Sequence, residues 1–188
     1  MFIQTEATPN PATLKFLPGR IVMPHGTFDA QDEAGAAASP LASRLISMPE
    51  VAGVYLGHDF ISVTKREGDW QHLKPAILGA IMEHFVSGAP VVSAGAQVLE
   101  QSEDEFFDPA DLETVENIKE LIETRVRPAV AGDGGDITFR GFKDGVVYLN
   151  MRGACSGCPS STATLKHGIQ NLLRHFVPEV RDVEAVQA

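Results

Sequence analysis

Cysteine, basic residues and long apolar runs are all scarce in this sequence. Two cysteines among 188 residues are too few for a secreted scaffold held together by disulfides. The 15 Lys and Arg residues are outnumbered by 25 Asp and Glu, a formal net charge of −10, whereas nucleic acid and anionic membrane surfaces both require clustered positive charge. No continuous run of about 20 apolar residues is present, so no membrane-spanning helix is predicted. We therefore expect neither nucleic acid nor a membrane as a partner.

The first twenty residues lack the patterns that are typical of a targeting segment. A secretory signal would begin with basic residues followed by an apolar run, and an organelle transit peptide would be rich in Arg and Ser. The sequence MFIQTEATPNPATLKFLPGR has neither feature. Together with the two cysteines, this predicts a cytoplasmic protein whose thiols stay reduced.

Charge divides the chain into three segments and predicts two domains. Residues 1–95 contain 6 basic and 9 acidic side chains, and residues 111–188 contain 9 basic and 11 acidic ones. Residues 96–110 contain five acids and no base, which is typical of an exposed linker, although an acidic loop inside one domain would have the same composition. We expect an N-terminal domain at 1–95, an acidic linker at 96–110 and a C-terminal domain at 111–188.

The first domain is predicted to mix strands and helices. Strands are expected at 2–6, 13–17, 51–56 and 60–65, and helices at 41–46 and 70–86. The segment Thr8-Pro9-Asn10-Pro11 must turn, because its two prolines fix φ and remove donors. Pro75 is expected near the first turn of the last helix, where proline is tolerated.

The second domain is predicted as a helix, a hairpin, a helix and a short strand. Apolar residues at 112, 115, 118, 122 and 126 indicate an amphipathic helix that ends before Pro128. Strands at 136–142 and 146–151 flank an Asp-Gly turn, and a last strand is expected at 180–186. The predicted fold class is therefore α+β, with two small mixed α/β-sheet domains joined by an acidic linker.

Both cysteines, Cys155 and Cys158, lie in one Cys-x-x-Cys motif in a glycine-containing loop between a predicted strand and a predicted helix. Two intervening residues let both sulfurs face one point, which suits a metal, a cluster or a local disulfide. The helix that follows Pro159 directs its unpaired N–H groups and the positive end of its dipole toward the sulfurs. We therefore expect the thiolate form of both cysteines to be stabilised.

Three functions are compatible with this pair of cysteines. A dithiol oxidoreductase would also place the motif at a helix start, but here the motif follows a hairpin in a domain of about 78 residues (111–188). Structural zinc and a [4Fe–4S] cluster each need four ligands, so either would require a dimer or outside ligands. His167 lies about 13 Å along the helix and half a revolution from Cys158, and we do not expect it to be a ligand.

A second glycine-rich segment, Asp133-Gly134-Gly135-Asp136, is predicted to be a tight turn that enters a strand and packs beside the cysteine loop. A phosphate-binding loop of the Walker type requires a Lys after its glycines, and a calcium loop requires more acids at alternate positions. No Ser–His–Asp or paired-carboxylate arrangement is recognisable from the spacing, so hydrolytic catalysis has no support.

Residues in both predicted domains resemble NifU-like (Nfu-type) iron–sulfur cluster scaffolds. The stretches 126–137, VRPAVAGDGGDI, and 153–161, GACSGCPSS, are similar to the C-terminal domain of this family. Residues 5–11, TEATPNP, with Lys15-Phe16, are similar to the N-terminal domain of its mitochondrial-type branch.

The resemblance implies an iron–sulfur cluster carrier that is not an enzyme. It implies that Cys155 and Cys158 of two subunits share one [4Fe–4S] cluster in a homodimer, in agreement with the count of four ligands. It also implies an upstream cluster donor or assembly scaffold, and apo iron–sulfur target proteins that receive the cluster. A thiol–disulfide oxidoreductase and a zinc-stabilised dimeric interaction module remain the alternatives.

Overall fold

The computed structural model describes residues 1–94, 105–157 and 159–186. Cys158 and residues 96–104 of the predicted linker lie outside these ranges. Within them, no helix is both long enough and apolar enough to cross a lipid bilayer.

The chain divides into two compact units, Met1–Glu100 and Gln101–Ala188. Each unit combines helices with a β-sheet around its own hydrophobic core, so the predicted α+β class is confirmed. The division between the units falls inside the segment predicted as a linker, 96–110, whose limits remain a prediction.

The described part of the first unit is one antiparallel sheet with helices. Its strands are β1 (Gln4–Ala7), β2 (Thr13–Leu17), β3 (Phe28–Ala30), β4 (Val51–Leu56) and β5 (Ile61–Lys65), and its helices are α1 (Glu33–Ala36), α2 (Pro40–Ile46) and α3 (Trp70–Ser87). The spatial order of the strands is β1-β2-β5-β4-β3. The four predicted strands and two predicted helices are confirmed within a few residues, whereas β3 and α1 are too short to show a period in the sequence.

Pro75 lies further along α3 than the predicted position near the first turn. It is the sixth residue of a helix that begins at Trp70, so it interrupts the second turn and removes the hydrogen bond to the Gln71 carbonyl. Pro75 and Gln71 are both exposed, so water can bind that carbonyl. The helix tolerates the loss because its opposite face, with Leu73 and Ile77, is buried in the core.

The described part of the second unit has a three-stranded sheet. Its elements are a 3-10 turn (Pro109–Asp111), α4 (Leu112–Leu121), a π-helical segment (Ile122–Val126), α5 (Arg127–Gly132), β6 (Gly135–Lys143), β7 (Val146–Gly153), α6 (Pro159–Phe176) and β8 (Asp182–Val186). Strands β6 and β7 pair antiparallel, and β8 pairs parallel with β7. Helix α6 therefore forms the crossover of a strand–helix–strand unit, a parallel pairing that the sequence analysis did not predict.

The helical path that begins with α4 does not stop before Pro128 but continues through it, so the predicted end of the helix is wrong. Pro128 has no N–H, and in a regular α-helix its ring would clash with the carbonyl of Thr124. The chain avoids the clash with a wider π turn over Ile122–Val126, in which the N–H of Arg127 donates to the carbonyl of Ile122. The helical path then continues as α5 to the glycine turn.

The hairpin between β6 and β7 is confirmed at the predicted Asp-Gly turn. Asp144 has φ 53° and Gly145 has φ 80°, the two left-handed residues of a type I′ turn. The two strands carry the chain to the cysteine loop, because β7 ends at Gly153 directly opposite Gly135 at the start of β6.

Residues 105–108, which we call the strap, are part of the second unit and contact its sheet and α4, although they belong to the predicted linker. Phe106 forms an isolated parallel bridge with Gly141 in β6, and Glu105 accepts a hydrogen bond from the Lys119 ammonium at 2.8 Å. This short segment is therefore anchored to the sheet and to α4.

Candidate metal centre

The loop that carries Cys155 turns sharply between β7 and α6. Gly153 and Gly157 have φ of 62° and 81°, in the left-handed region that favours glycine, so the chain can reverse on either side of the cysteine. The N–H of Cys155 donates to the carbonyl of Arg152 at 3.3 Å, and the N–H of Ser156 donates to that of Gly153 at 3.1 Å. These local bonds close a compact loop at the start of α6.

The Asp133–Asp136 turn packs beside the cysteine loop, as predicted. Gly134 has φ 81°, which makes the turn into β6 possible, and its carbonyl accepts a hydrogen bond from the N–H of Ala154 at 3.1 Å. The next residue, Gly135, lies directly against Cys155: a Cβ added there would approach the sulfur closer than 3.0 Å. The two glycine-rich segments thus form one structure.

The Cys155 side chain is buried. Only 5% of the residue is exposed, and it belongs to the same buried cluster as Ile137 and Ile169. The hydroxyl of Thr162, in the first turn of α6, donates to the carbonyl of Cys155 at 3.2 Å and ties the loop to the helix. The thiol therefore lies among apolar side chains.

Burial raises the pKa of the Cys155 thiol to about 12, and the carboxylates of Asp136 and Asp133 add to the shift. A thiol in this position is neutral at physiological pH. The helix start was expected to favour a thiolate, but desolvation and two negative charges outweigh the dipole of α6 for this cysteine.

An ion pair at the edge of the site was not predicted from the sequence. Arg127 donates to both carboxylate oxygens of Asp136, with Nε–Oδ1 at 2.8 Å and Nη2–Oδ2 at 2.9 Å, and to Glu123 at 2.9 Å. Asp136 is only 5% exposed, and its Oδ1 also accepts the N–H of Ile137. Burial alone would lower the pKa of Arg127, but its bonds to Asp136 and Glu123 outweigh this and raise it.

This pair could not be found from spacing, because Arg127 and Asp136 belong to different elements, α5 and β6. Both residues lie within the stretch 126–137 that carries the family resemblance, but that resemblance assigns them no role. The ion pair fixes α5 to the first residues of β6, where Asp136 lies opposite Arg152 of β7.

The second predicted ligand, Cys158, lies outside the described residues, so its pairing with Cys155 stays a prediction. His167 is exposed on α6. Across the described ranges, no group of three or more His, Cys, Asp or Glu side chains is placed to hold a metal ion. The described part of one chain therefore offers a single thiol, and the sequence adds one more beside it.

Comparison with protein families matches both halves of the chain. The model of the NifU-like domain matches residues 118–184, which include the cysteine loop. The model described as scaffold protein Nfu/NifU N terminal matches residues 3–88.

Several curated relatives align over almost the whole chain. The human mitochondrial NFU1 iron–sulfur cluster scaffold homolog is 48% identical over 188 residues, 99% of this chain and 72% of the relative. The homolog from Drosophila sechellia is 48% identical over 99% of this chain, and NifU-like protein 4 from Arabidopsis thaliana is 49% identical over 98%. The chain spans only 65% of the length of each of these two.

Two solved structures are similar to part of the chain. A solution structure of a NifU-like protein from Saccharomyces cerevisiae is 26% identical with a TM-score of 0.45, and covers 50% of this chain and 86% of its own. A crystal structure of a Staphylococcus aureus protein is 19% identical with a TM-score of 0.38, over 43% of this chain and 99% of its own.

The predicted cytoplasmic location is wrong by this comparison, because the human, Drosophila and Arabidopsis relatives are all named as mitochondrial. Each of these relatives is longer than the region that it shares with the chain. The alignments nevertheless cover 98–99% of the sequence and include both matched domains. The chain therefore belongs to the Nfu-type family of NifU-like proteins.

Proposed function

We propose that this protein carries an iron–sulfur cluster as cargo and passes it to apo iron–sulfur proteins. The observation that supports this most directly is that the chain, cysteine loop included, aligns over 99% of its length with a human protein named as an iron–sulfur cluster scaffold. The role is that of a scaffold and carrier rather than an enzyme, with an upstream donor that loads the cluster.

The cargo we propose is one [4Fe–4S] cluster held between two copies of the chain. Such a cluster takes four thiolates, and this sequence contains two cysteines, Cys155 and Cys158. Two chains together supply four, so the ligand count is met by a homodimer without outside ligands. The cluster is then shared equally by identical loops.

The position of the motif supports a carrier. The loop lies at the start of α6, where unpaired N–H groups and the positive end of the dipole can stabilise the charge of a bound anionic cluster. A cluster shared between two subunits can be released one ligand at a time, because a thiolate on the target replaces each cysteine in turn. Assembly and release are then ligand exchange at iron: each cysteine thiol loses its proton when it binds iron and regains one when a thiolate of the target replaces it.

The oxidoreductase alternative is disfavoured by the state of Cys155. Attack on a disulfide requires a thiolate, and redox-active Cys-x-x-Cys motifs lower the pKa of the attacking cysteine. Here burial raises the pKa of the Cys155 thiol to about 12. The strand–helix–strand setting of the motif is shared with such enzymes, but the chemistry of this thiol is not.

Anaerobic reconstitution followed by native mass spectrometry tests the proposal. We expect a dimer that carries four iron and four sulfide, with the visible absorption of a [4Fe–4S] cluster. A monomer that holds a complete cluster without added thiol would contradict the shared site. A colourless protein that binds zinc alone would favour a zinc-stabilised dimer instead.

Single substitutions test the ligands. Cys155→Ser and Cys158→Ser should each abolish stable cluster binding while the protein remains folded by circular dichroism. His167→Ala, on the exposed face of α6, is the matched control and should bind the cluster as the unmodified protein does. If His167→Ala loses the cluster as completely as the cysteine variants, the ligand assignment is wrong.

A further inference from the structure

The Cys155 sulfur occupies a site that exists only because residue 135 has no side chain. A Cβ at Gly135 would come closer than 3.0 Å to the sulfur, and would lie 2.9 Å from both the Arg152 carbonyl oxygen and the Cys155 nitrogen. Side-chain and backbone atoms do not approach a Cβ this closely, so even alanine at this position competes with the thiol for space.

The backbone of Gly135 does not itself require glycine. Its neighbour Gly134 has φ 81° and needs the freedom of glycine to make the turn, whereas Gly135 is not among the residues with positive φ. It is the first residue of β6 and pairs with Gly153 in the ladder. What glycine provides at position 135 is therefore room for the sulfur and for the backbone of the cysteine loop at Arg152 and Cys155.

Neighbouring contacts hold both sides of this space in place, the start of β6 on one side and the cysteine loop on the other. The two-point bond between Arg127 and Asp136 holds the start of β6 against α5, and so fixes the residue that follows Gly135. On the loop side, Ala154 donates to Gly134 at 3.1 Å and Thr162 donates to the Cys155 carbonyl at 3.2 Å.

We propose that Gly135, held by the Arg127–Asp136 pair, is a positioning residue that keeps the Cys155 thiol turned into the core when no cluster is bound. We call this inward position of the sulfur, against Gly135, the seat. The second half of the proposal is that the thiol must leave the seat before it can bind iron. The second half rests on the proposed function, because it takes Cys155 to be a ligand. The first half does not, and it can be tested on the cluster-free protein alone.

The inward position has a direct chemical consequence. A sulfur in a residue that is 5% exposed cannot reach an iron atom supplied from solvent, and it is equally protected from soluble reagents. Loading then includes a local opening of the loop, which turns Cys155 outward while the helix and the hairpin stay folded.

Alkylation of the full-length, reduced, cluster-free protein tests the seat. Iodoacetamide is applied at one pH, and peptide mass spectrometry measures the modification of Cys155 separately from that of Cys158. We expect Cys155 to react at least about tenfold more slowly in the folded protein than in guanidinium, as local protection of a buried group predicts. Equal rates in the folded and unfolded protein would overturn the proposal.

Gly135→Ala should release the thiol. We expect Cys155 in this variant to be alkylated at least about tenfold faster than in the unmodified protein, because the added Cβ excludes the sulfur from its seat. Gly168→Ala is the matched control: it adds the same methyl group on α6, where no atom lies within 4 Å, and should leave the rate unchanged. A Gly135→Ala protein that is folded and alkylated as slowly as the unmodified one contradicts the seat.

A stability cycle decides the question if Gly135→Ala folds poorly. The substitution is compared in two backgrounds, Cys155 and Cys155→Ala, by the midpoint of urea unfolding. The backbone contacts of the new Cβ are the same in both backgrounds, whereas its contact with the sulfur exists in one, so the midpoint should fall further when Cys155 is present. Equal decreases would show that the sulfur does not occupy this space.

The two proposals fail independently. Failure to bind a cluster, with slow alkylation of Cys155, would reject the carrier function and leave the seat standing. Rapid alkylation of Cys155 with normal cluster binding would reject the seat and leave the carrier function standing.

Discussion

The protonation of one group, the Cys155 thiol, depends on residues from several parts of the second unit. Burial among apolar side chains is the largest cause of its raised pKa, followed by the carboxylates of Asp136 and Asp133. Arg127 neutralises Asp136, so without the arginine a negative charge would lie unpaired near the sulfur. Binding of iron must therefore remove a proton from this thiol, and metal affinity should rise with pH.

The raised pKa of the Cys155 thiol predicts that the free energy of unfolding falls at alkaline pH, where the thiol ionises more readily in the unfolded chain than in the folded one. Its folded-state pKa, about 12, exceeds the ordinary value of 9.0, so its contribution is complete below about pH 9 and is lost as the pH rises toward 12. The free energy of urea unfolding should therefore fall more steeply above pH 9 for the unmodified protein than for Cys155→Ala. All other groups are shared by the two proteins, so parallel curves would refute the prediction.

The Arg127–Asp136 pair should be costly to break from one side. Arg127→Gln leaves a buried carboxylate without its partner, which we expect to cost about 3–5 kcal/mol in the free energy of unfolding. Glu123→Gln removes the negative charge of the other partner of the same arginine, but the Glu123 side chain is 48% exposed, so the loss of this charge should cost under about 1 kcal/mol. Urea denaturation of the two variants measures the difference, and similar costs would mean that the buried pair has no special weight.

Among the elements, those with a clear local pattern were predicted and those that depend on tertiary packing were not. The Asp144-Gly145 hairpin follows from two residues that accept left-handed φ, and the structure has it at the predicted place. The apolar spacing located α4 correctly, but Pro128 wrongly indicated the end of the helical path, because a π turn accommodates the proline. Only contacts with the rest of the unit decide between a stop and a wider turn.

The candidate site shows the same limit. The sequence predicted the cysteine loop and a glycine turn packed beside it, since both depend on glycines within a few residues. It did not predict that the Cys155 thiol faces the core, because that orientation depends on Gly135, twenty residues earlier, and on the bond from Arg127. Neither contact leaves a periodic signal.

The strap at 105–108 yields a prediction about β6. The Phe106 ring lies 5.1 Å from the Tyr148 ring, and a Cβ at Gly141 would come closer than 3.0 Å to it. Gly141→Ala should displace the Phe106 ring, and because this ring is 40% exposed and can move, we expect a cost of only about 1 kcal/mol in the free energy of unfolding. In a Phe106→Ala background the same change should cost little, because the ring is gone. An undiminished cost in that background would place the clash elsewhere.

On the scale of the whole molecule, both cysteines belong to the second unit, and the first unit contains none. The first unit, Met1–Glu100, contains neither cysteine and has a complete core of its own, built on its sheet and on α2 and α3. The second unit contains both cysteines and a separate core. We therefore propose that the first unit recognises a cluster donor or a target protein, and that the second unit holds the cargo.

This division of labour can be tested by separating the units. Residues 105–188, which retain the strap, should fold alone, dimerise on reconstitution and hold a cluster with the same spectrum as the whole chain. A fragment that begins at residue 111 lacks the Phe106 and Glu105 contacts and should be less stable in urea. Residues 1–94 should fold separately and bind no iron.

Rates of cluster transfer then show whether the first unit binds the target protein or has no part in the transfer. If the first unit binds a target, it raises the effective concentration of the cluster at that target, so residues 105–188 alone should transfer their cluster to native targets more slowly than the whole chain. Transfer to a small chelator, which the first unit cannot recognise, should proceed at the same rate with both proteins. Cluster transfer followed by circular dichroism or by activation of the target enzyme measures both. Equal rates to every native target tested, with and without the first unit, would remove the case for recognition and leave the second unit as the complete carrier.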